Sequence, residues 1–337
     1  MENKRIEWID ISKGILIILV MLGHTQASPH LVGYIFSFHM PFFFFISGYL
    51  FNVEKYQSFT NVVVSKSKSI LIPYIFFSVL SVIIYSVIFD YHFNNWYSLV
   101  SMFLESKRNE IFYNVPLWFF TTLFIIELLY FLIRKHINRK WIVLTILIAL
   151  SGFEAIKYNT TGQPKLPWSF DLGVYYMVFF GIGNLIRNIS INNKFIKKSL
   201  YGFCFIINIL FLVSPETFNG VNNIVYSHGS FAYLWSLILG FAGIVTYIGL
   251  SKYVKSSKAL SYLGKNTMII FPLHFVLGYN LINVFVLVYK IPIVPSNITG
   301  FIFVGIELLI LIPVVNIINS YFLNFVGKQV RGISRSD

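Results

Sequence analysis

Ten apolar runs, most of them long enough for a helix to cross a bilayer and the fifth and seventh shorter, follow one another along the chain with polar breaks between them. A helix needs about 20 mostly apolar residues to cross the hydrocarbon of a membrane. On that ruler the runs lie near residues 9–25, 32–51, 70–89, 117–133, 141–156, 172–186, 200–213, 231–250, 268–289 and 302–325. Lipid offers no water to the peptide groups, so each run has to satisfy its own backbone, and a helix does this within one segment. The expected fold is therefore all-α, a polytopic membrane protein of about ten transmembrane helices. Composition agrees: 56% of residues are apolar and only 12% charged, where soluble domains carry about a quarter charged. Residues 1–337 read as a single membrane-embedded domain with no appended soluble domain. The first run resembles a signal peptide in its basic start, but Asp10 and Lys13 precede its apolar centre, and it reads as a retained helix.

The charges between the runs give an orientation. With both termini cytoplasmic, 21 of the 26 lysines and arginines fall in cytoplasmic segments, from Lys4 and Arg5 to Lys328, Arg331 and Arg335. The other 5 are Lys107, Arg108, Lys157, Lys165 and Lys290, on the opposite side. That asymmetry is the positive-inside pattern of a multipass protein in the cytoplasmic (inner) membrane. The net charge of +13 belongs to these short clusters, which suit anionic lipid headgroups. No basic stripe or nucleic-acid motif accompanies it, so nucleic acid is not an expected partner. The single cysteine, Cys204, excludes an intrachain disulfide and a cysteine metal cluster.

Ionisable groups inside apolar runs are costly and mark functional positions by default. Here they are Asp10, Lys13, His24, His39, Glu127 and His274. Lys13 and His24 are eleven positions apart, which at 100° per residue leaves them about 20° apart around a helix and about 16 Å apart along it. Asp10 falls about 40° to the other side, so all three share one stripe, a cation near one membrane surface and a base near the other. Each has a plainer reading as well. Lys13 can snorkel to headgroups with Asp10 as its i,i+3 partner. His39 and His274, beside Pro41 and Pro272, can each bond backbone carbonyls near a kink. Glu127, mid-run, needs a proton or a buried partner. Spacing alone leaves function open.

The motifs go further. The stretch from Arg5 to Thr25, with a basic residue at Lys13, ten intervening residues and then His24, resembles the opening of the integral-membrane acyltransferase-3 family of carbohydrate O-acetyltransferases. The segment Phe38-His39-Met40-Pro41 through Ser47-Gly48-Tyr49 is similar to the family's second helix. Leu117-Trp118-Phe119 and Asn266-Thr267 with His274 fit more loosely. The resemblance spans nearly the whole chain. It departs before the third run, where the family often carries two arginines three positions apart and this chain has Lys66, Lys68 and Ser69. Charge is kept there, while the bidentate guanidinium fork is lost.

The resemblance implies transfer of an acyl group, usually acetyl, from cytoplasmic acyl-CoA (acetyl-CoA) to a hydroxyl of a surface polysaccharide or its lipid-linked precursor. On this reading His24, with His39 and Asp10, carries the chemistry as general base or transient acyl carrier. Lys13, Lys66 and Lys68 meet the donor phosphates. Tyr49, Trp118, Glu127 and His274 face the substrates, and Tyr49, Ser47 or His39 stabilises the oxyanion. No metal-ligand spacing such as His-Glu-x-x-His is present. Two other classes fit ten helices with polar stripes: a transporter or flippase for a glycolipid or small solute, and an accessory subunit of a polysaccharide assembly system. Inverted repeats with matching broken helices would mark the transporter, and the sequence shows none convincingly.

Overall fold

The computed structural model describes residues 6–93, 95–161, 166–189, 193–214 and 229–327, and among these it is helical without a strand. The basic residues Lys4, Arg5, Lys165, Lys328, Arg331 and Arg335, and the side chain of Lys157, lie outside what is described. In chain order the helices are α1 (Glu7–Gly23), α2 (Pro29–Leu50), α3 (Phe59–Lys66), α4 (Ile72–Ile88), α5 (Trp96–Glu105), α6 (Trp118–His136) and α7 (Lys140–Thr161). They continue as α8 (Phe170–Leu185), α9 (Lys194–Leu212), α10 (Gly229–Val254), α11 (Lys258–Lys265), α12 (Thr267–Leu273), α13 (Leu281–Val288) and α14 (Asn297–Tyr321).

All ten apolar runs fall on helices. Among the described residues, seven helical segments are long and apolar enough to cross a membrane by length and composition. α1, α7 and α8 are not among them; α1 has 17 residues and α8 has 16. The short α8 is buried along nearly its whole length, against α2, α6 and α7. An all-round apolar helix enclosed by others is a core helix. α9 is its opposite, with 17% of its apolar window buried, and it presents Phe203, Phe205, Ile206 and Leu210 outward.

Helix ends depart from the apolar boundaries where a cap is available. α9 begins six residues before the expected position 200 because the Asn193 side chain accepts from Phe195 and Ile196 N–H groups, carrying Lys194, Lys197 and Lys198 into helix. α3 likewise starts at a Ser58 cap and runs through a widened turn, Ser67–Leu71, into α4. Ser28 and Ser296 cap α2 and α14, each supplying an acceptor for an otherwise orphaned backbone donor. The segment between the third and fourth apolar runs, residues 90–116, contains α5. A second widened turn, His274–Asn280, follows Pro272. Such turns are uncommon and concentrate at functional places. Asn114 donates through Nδ2 to the Pro272 carbonyl at 3.0 Å, beside that turn.

α1 is held at its Lys13 end by backbone contact with α11. A Cβ on Gly264 would stand 1.8 Å from the Asp10 carbonyl oxygen, and one on Gly14 2.1 Å from the Leu260 carbonyl oxygen. Only glycine permits this approach, in the manner of small-residue crossings between membrane helices. Gly264→Ala is therefore expected to lower the thermal midpoint of the purified protein, with an overpacking cost of about 1–3 kcal/mol. Gly202, mid-helix in α9, where a Cβ meets nothing within 4 Å, provides the control: Gly202→Ala does not lower the midpoint. Equal midpoints for the two variants would refute the close-approach account.

Candidate active site

α1 ends at Gly23, and His24 is the first residue beyond it. Its ring borders a cavity of about 530 Å³, walled by α1, α2, α6, α8, the loop after α5 and the widened turn after α12. That volume lies in the range of small-molecule sites. His39, from α2, reaches the same cavity, and Phe36 touches both imidazoles, with ring centroids 5.9 Å from His24 and 5.1 Å from His39. His274 packs against His24 at 5.3 Å between centroids, fully buried. Three histidines that the sequence places far apart thus form one cluster.

Two of the rings are fixed by the backbone. His39 Nδ1 lies 2.9 Å from the Ile35 carbonyl oxygen, and His274 Nδ1 is bonded to the Phe271 carbonyl oxygen. A carbonyl only accepts, so each Nδ1 carries the proton and each neutral ring keeps its lone pair at Nε2. A neutral His39 therefore offers the cavity an acceptor rather than a proton. Among the described residues no protein group hydrogen-bonds the His24 ring. No group of three His, Cys, Asp or Glu converges as metal ligands among those residues.

Aromatic rings supply much of the remaining wall: Trp118, Tyr175, Tyr176, Phe271, Phe275 and Tyr279. At the end formed by the loop after α5 stand Arg108 and Asn109, with the Arg108 guanidinium carbon 5.4 Å from the centre of the Trp118 ring. Its neighbour Lys107 is engaged elsewhere, paired with Glu105 and, at 3.7 Å, with Glu110. The hydrogen bond from Lys107 holds the Glu105 carboxyl below the usual carboxylate range.

A sequence profile of the acyltransferase-3 family, described as an acyltransferase domain, matches residues 6–316. The chain belongs to the acyltransferase-3 family. No curated protein and no solved structure matches it. As an acyltransferase the molecule needs an acyl donor and an acceptor, and its apolar helices make it a multipass membrane protein.

The other expected site residues of this acyltransferase are spread along the bundle. Trp118 lines the cavity. Lys13 is on α1 seven residues before Val20, the deepest α1 residue in the cavity wall, and so about 10 Å further along the axis. Asp10 is buried at the α11 crossing. Tyr49, near the end of α2, packs edge-on against Trp8 at 5.4 Å, away from the histidines. Ser47 donates its hydroxyl to the Phe43 carbonyl. Lys66 pairs with Glu127, Nζ to Oε1 at 3.1 Å, and lies over the Phe51 ring at 4.9 Å. Lys68 is exposed.

Sequence reasoning passed over Arg108, which it counted among the few outer charges, and over Asn109, Tyr175, Tyr176 and Tyr279. The available signal was the exception in the charge map: an Lys-Arg pair where the pattern otherwise thins out cations.

Proposed function

We propose that this acyltransferase moves an acetyl group from cytoplasmic acetyl-CoA to a hydroxyl of a surface polysaccharide or its lipid-linked precursor, acting as one membrane-embedded domain of ten helices in the inner membrane with both termini cytoplasmic. The observation that carries the reading is an imidazole, His24, with no hydrogen-bond partner among the described residues, bordering a ligand-sized cavity whose walls are largely aromatic. Pyranose rings stack their C–H faces on such surfaces, and an acyltransfer site needs a base beside the acceptor hydroxyl.

In this mechanism His24 takes the proton of the sugar hydroxyl as its oxygen attacks the thioester carbonyl. The tetrahedral intermediate collapses with cleavage of the C–S bond, and the proton passes to the departing thiolate. One sugar ester and one free CoA result. His39, accepting at Nε2, holds a second hydroxyl of the acceptor, and His274 positions the His24 ring. The donor enters from the Lys13 end, where Lys13 and the exposed Lys68 meet its phosphates; Lys66 is committed to Glu127.

Lys13→Ala then raises the apparent requirement for acetyl-CoA by roughly 10-fold, the loss of one charge-assisted contact, with acceptor dependence unchanged. Steady-state kinetics of purified protein with both substrates varied provide the check. A Lys13→Ala enzyme with wild-type donor dependence would remove Lys13 from the donor site.

A further inference from the structure

Resting on the reading of His24 as the base and His274 as its support, we infer that Glu307 is a positioning residue for acyl transfer, its carboxyl group holding the widened turn that sets His274 against His24. Glu307 stands within α14 and is fully buried. Both of its carboxyl oxygens are buried without a hydrogen-bond partner among the described residues. An ionisable group inside a membrane helix is costly and marks a functional position by default. The mechanism above leaves this one without a task.

The carboxyl lies on the backbone of the turn. A Cβ on Gly278 would stand 2.8 Å from the Glu307 Cγ and 2.9 Å from its Cδ and Oε2, so only glycine admits it there. The turn, His274–Asn280, carries three parts of the site. His274 lies 5.3 Å from the His24 ring between centroids, and Phe275 and Tyr279 stand in the cavity wall. Side chains tie the turn at both ends. Asn114 donates to the Pro272 carbonyl just before it, and Asn280 donates through Nδ2 to the Tyr85 hydroxyl at 2.6 Å. Glu307 meets the stretch between those ties.

A widened turn needs a donor. Each N–H within it reaches back to the fifth preceding carbonyl, and the return to the usual fourth skips one carbonyl at the far end. Gly278 is near that end. A skipped carbonyl buried away from water costs free energy until something donates to it. With no partner among the described residues to compensate a charge, Glu307 is accommodated as the neutral acid, which has one O–H to give. That O–H meets the skipped carbonyl, fixes the shape of the turn and, through it, the placement of His274.

The test uses purified full-length protein, acetyl-CoA labelled in its acetyl group, and oligomers of glucose, N-acetylglucosamine and glucuronate as acceptors, with rates taken per mole of monodisperse protein. Glu307→Gln keeps the length and a donor, and is expected to keep the wild-type kcat. Glu307→Met keeps the length and loses the donor. Its kcat is expected to fall by about 10- to 100-fold, the scale of a small misplacement of the reacting groups, with the KM for acetyl-CoA unchanged. Gly278→Ala, whose Cβ would push the same carboxyl aside, is expected to show the same loss with Glu307 in place.

Wild-type kcat in Glu307→Met or in Gly278→Ala overturns the inference and leaves acyl transfer standing. So does a defect that appears as a raised KM for acetyl-CoA with kcat intact. A Glu307→Gln protein as slow as Glu307→Met overturns it too, because the group then acts through its ionisation and not as a donor. Absence of labelled sugar and of CoA release by the wild type with every acceptor overturns the underlying function as well.

Discussion

Replacing His24 with alanine is expected to abolish acyl transfer while leaving the protein expressed, inserted and folded. Positioned proton transfer contributes about 10²- to 10⁴-fold, and among the described residues no other group stands equivalent to it. His39 and His274 are tied through Nδ1 to their own helices, whereas among the described residues the His24 ring meets its neighbours through ring faces and edges. Its removal breaks no protein hydrogen bond among the described residues and borders a space already open to ligands. The folded protein therefore tolerates the change, and the reaction does not. Labelled-acetate transfer to glycan, measured alongside size-exclusion elution and thermal midpoint, separates the two effects. Undiminished transfer in His24→Ala would remove the mechanism.

The second large effect is on stability. Lys66→Ala is expected to destabilise the fold by about 3–5 kcal/mol, because truncating one member of a buried ion pair strands the other. Glu127 is 4% exposed, and its second oxygen, Oε2, is buried with no hydrogen-bond partner among the described residues. Lys66 is thus the group that compensates the carboxylate, and its ammonium also lies over Phe51. Adding Glu127→Gln removes the stranded charge, so the double variant recovers most of the loss. Thermal unfolding of the single and double variants measures this coupling. The double variant also separates structure from substrate binding: folded, it keeps wild-type acetyl-CoA dependence if Lys66 serves the pair. A Lys66→Ala protein as stable as the wild type would refute the pairing.

The helical plan was largely legible because lipid leaves the backbone no alternative, so every apolar run falls on a helix. Ends were less so. α9 and α3 extend into polar sequence because Asn193 and Ser58 cap them, and a cap acts locally while hydropathy is averaged over many residues. Within the site, His24 and His39 stood out as imidazoles in apolar runs. That His274 packs on His24 was not readable, since 250 positions separate them and only the widened turn after Pro272 brings them together. The union of Lys66 with Glu127 was hidden in the same way: each was visible as a costly charge, but their partnership depends on how α3 meets α6. The shared stripe of Asp10, Lys13 and His24 is a property of one helix, and it says nothing of what α11 places against its near end. Arg108 escaped because charge on a loop is the ordinary condition of a loop, and what ties that loop down is remote in sequence: the Ser106 hydroxyl meets that of Thr121, and the Arg108 backbone N–H donates to the Ser169 hydroxyl.

Purified wild-type protein, supplied with acetyl-CoA labelled in its acetyl group and with carbohydrate acceptors, offers the most direct test. The account predicts label in ester linkage on the sugar, with one CoA thiol released per ester formed. Intact donor and unmodified sugar, with solute moved across sealed vesicles instead, would contradict it.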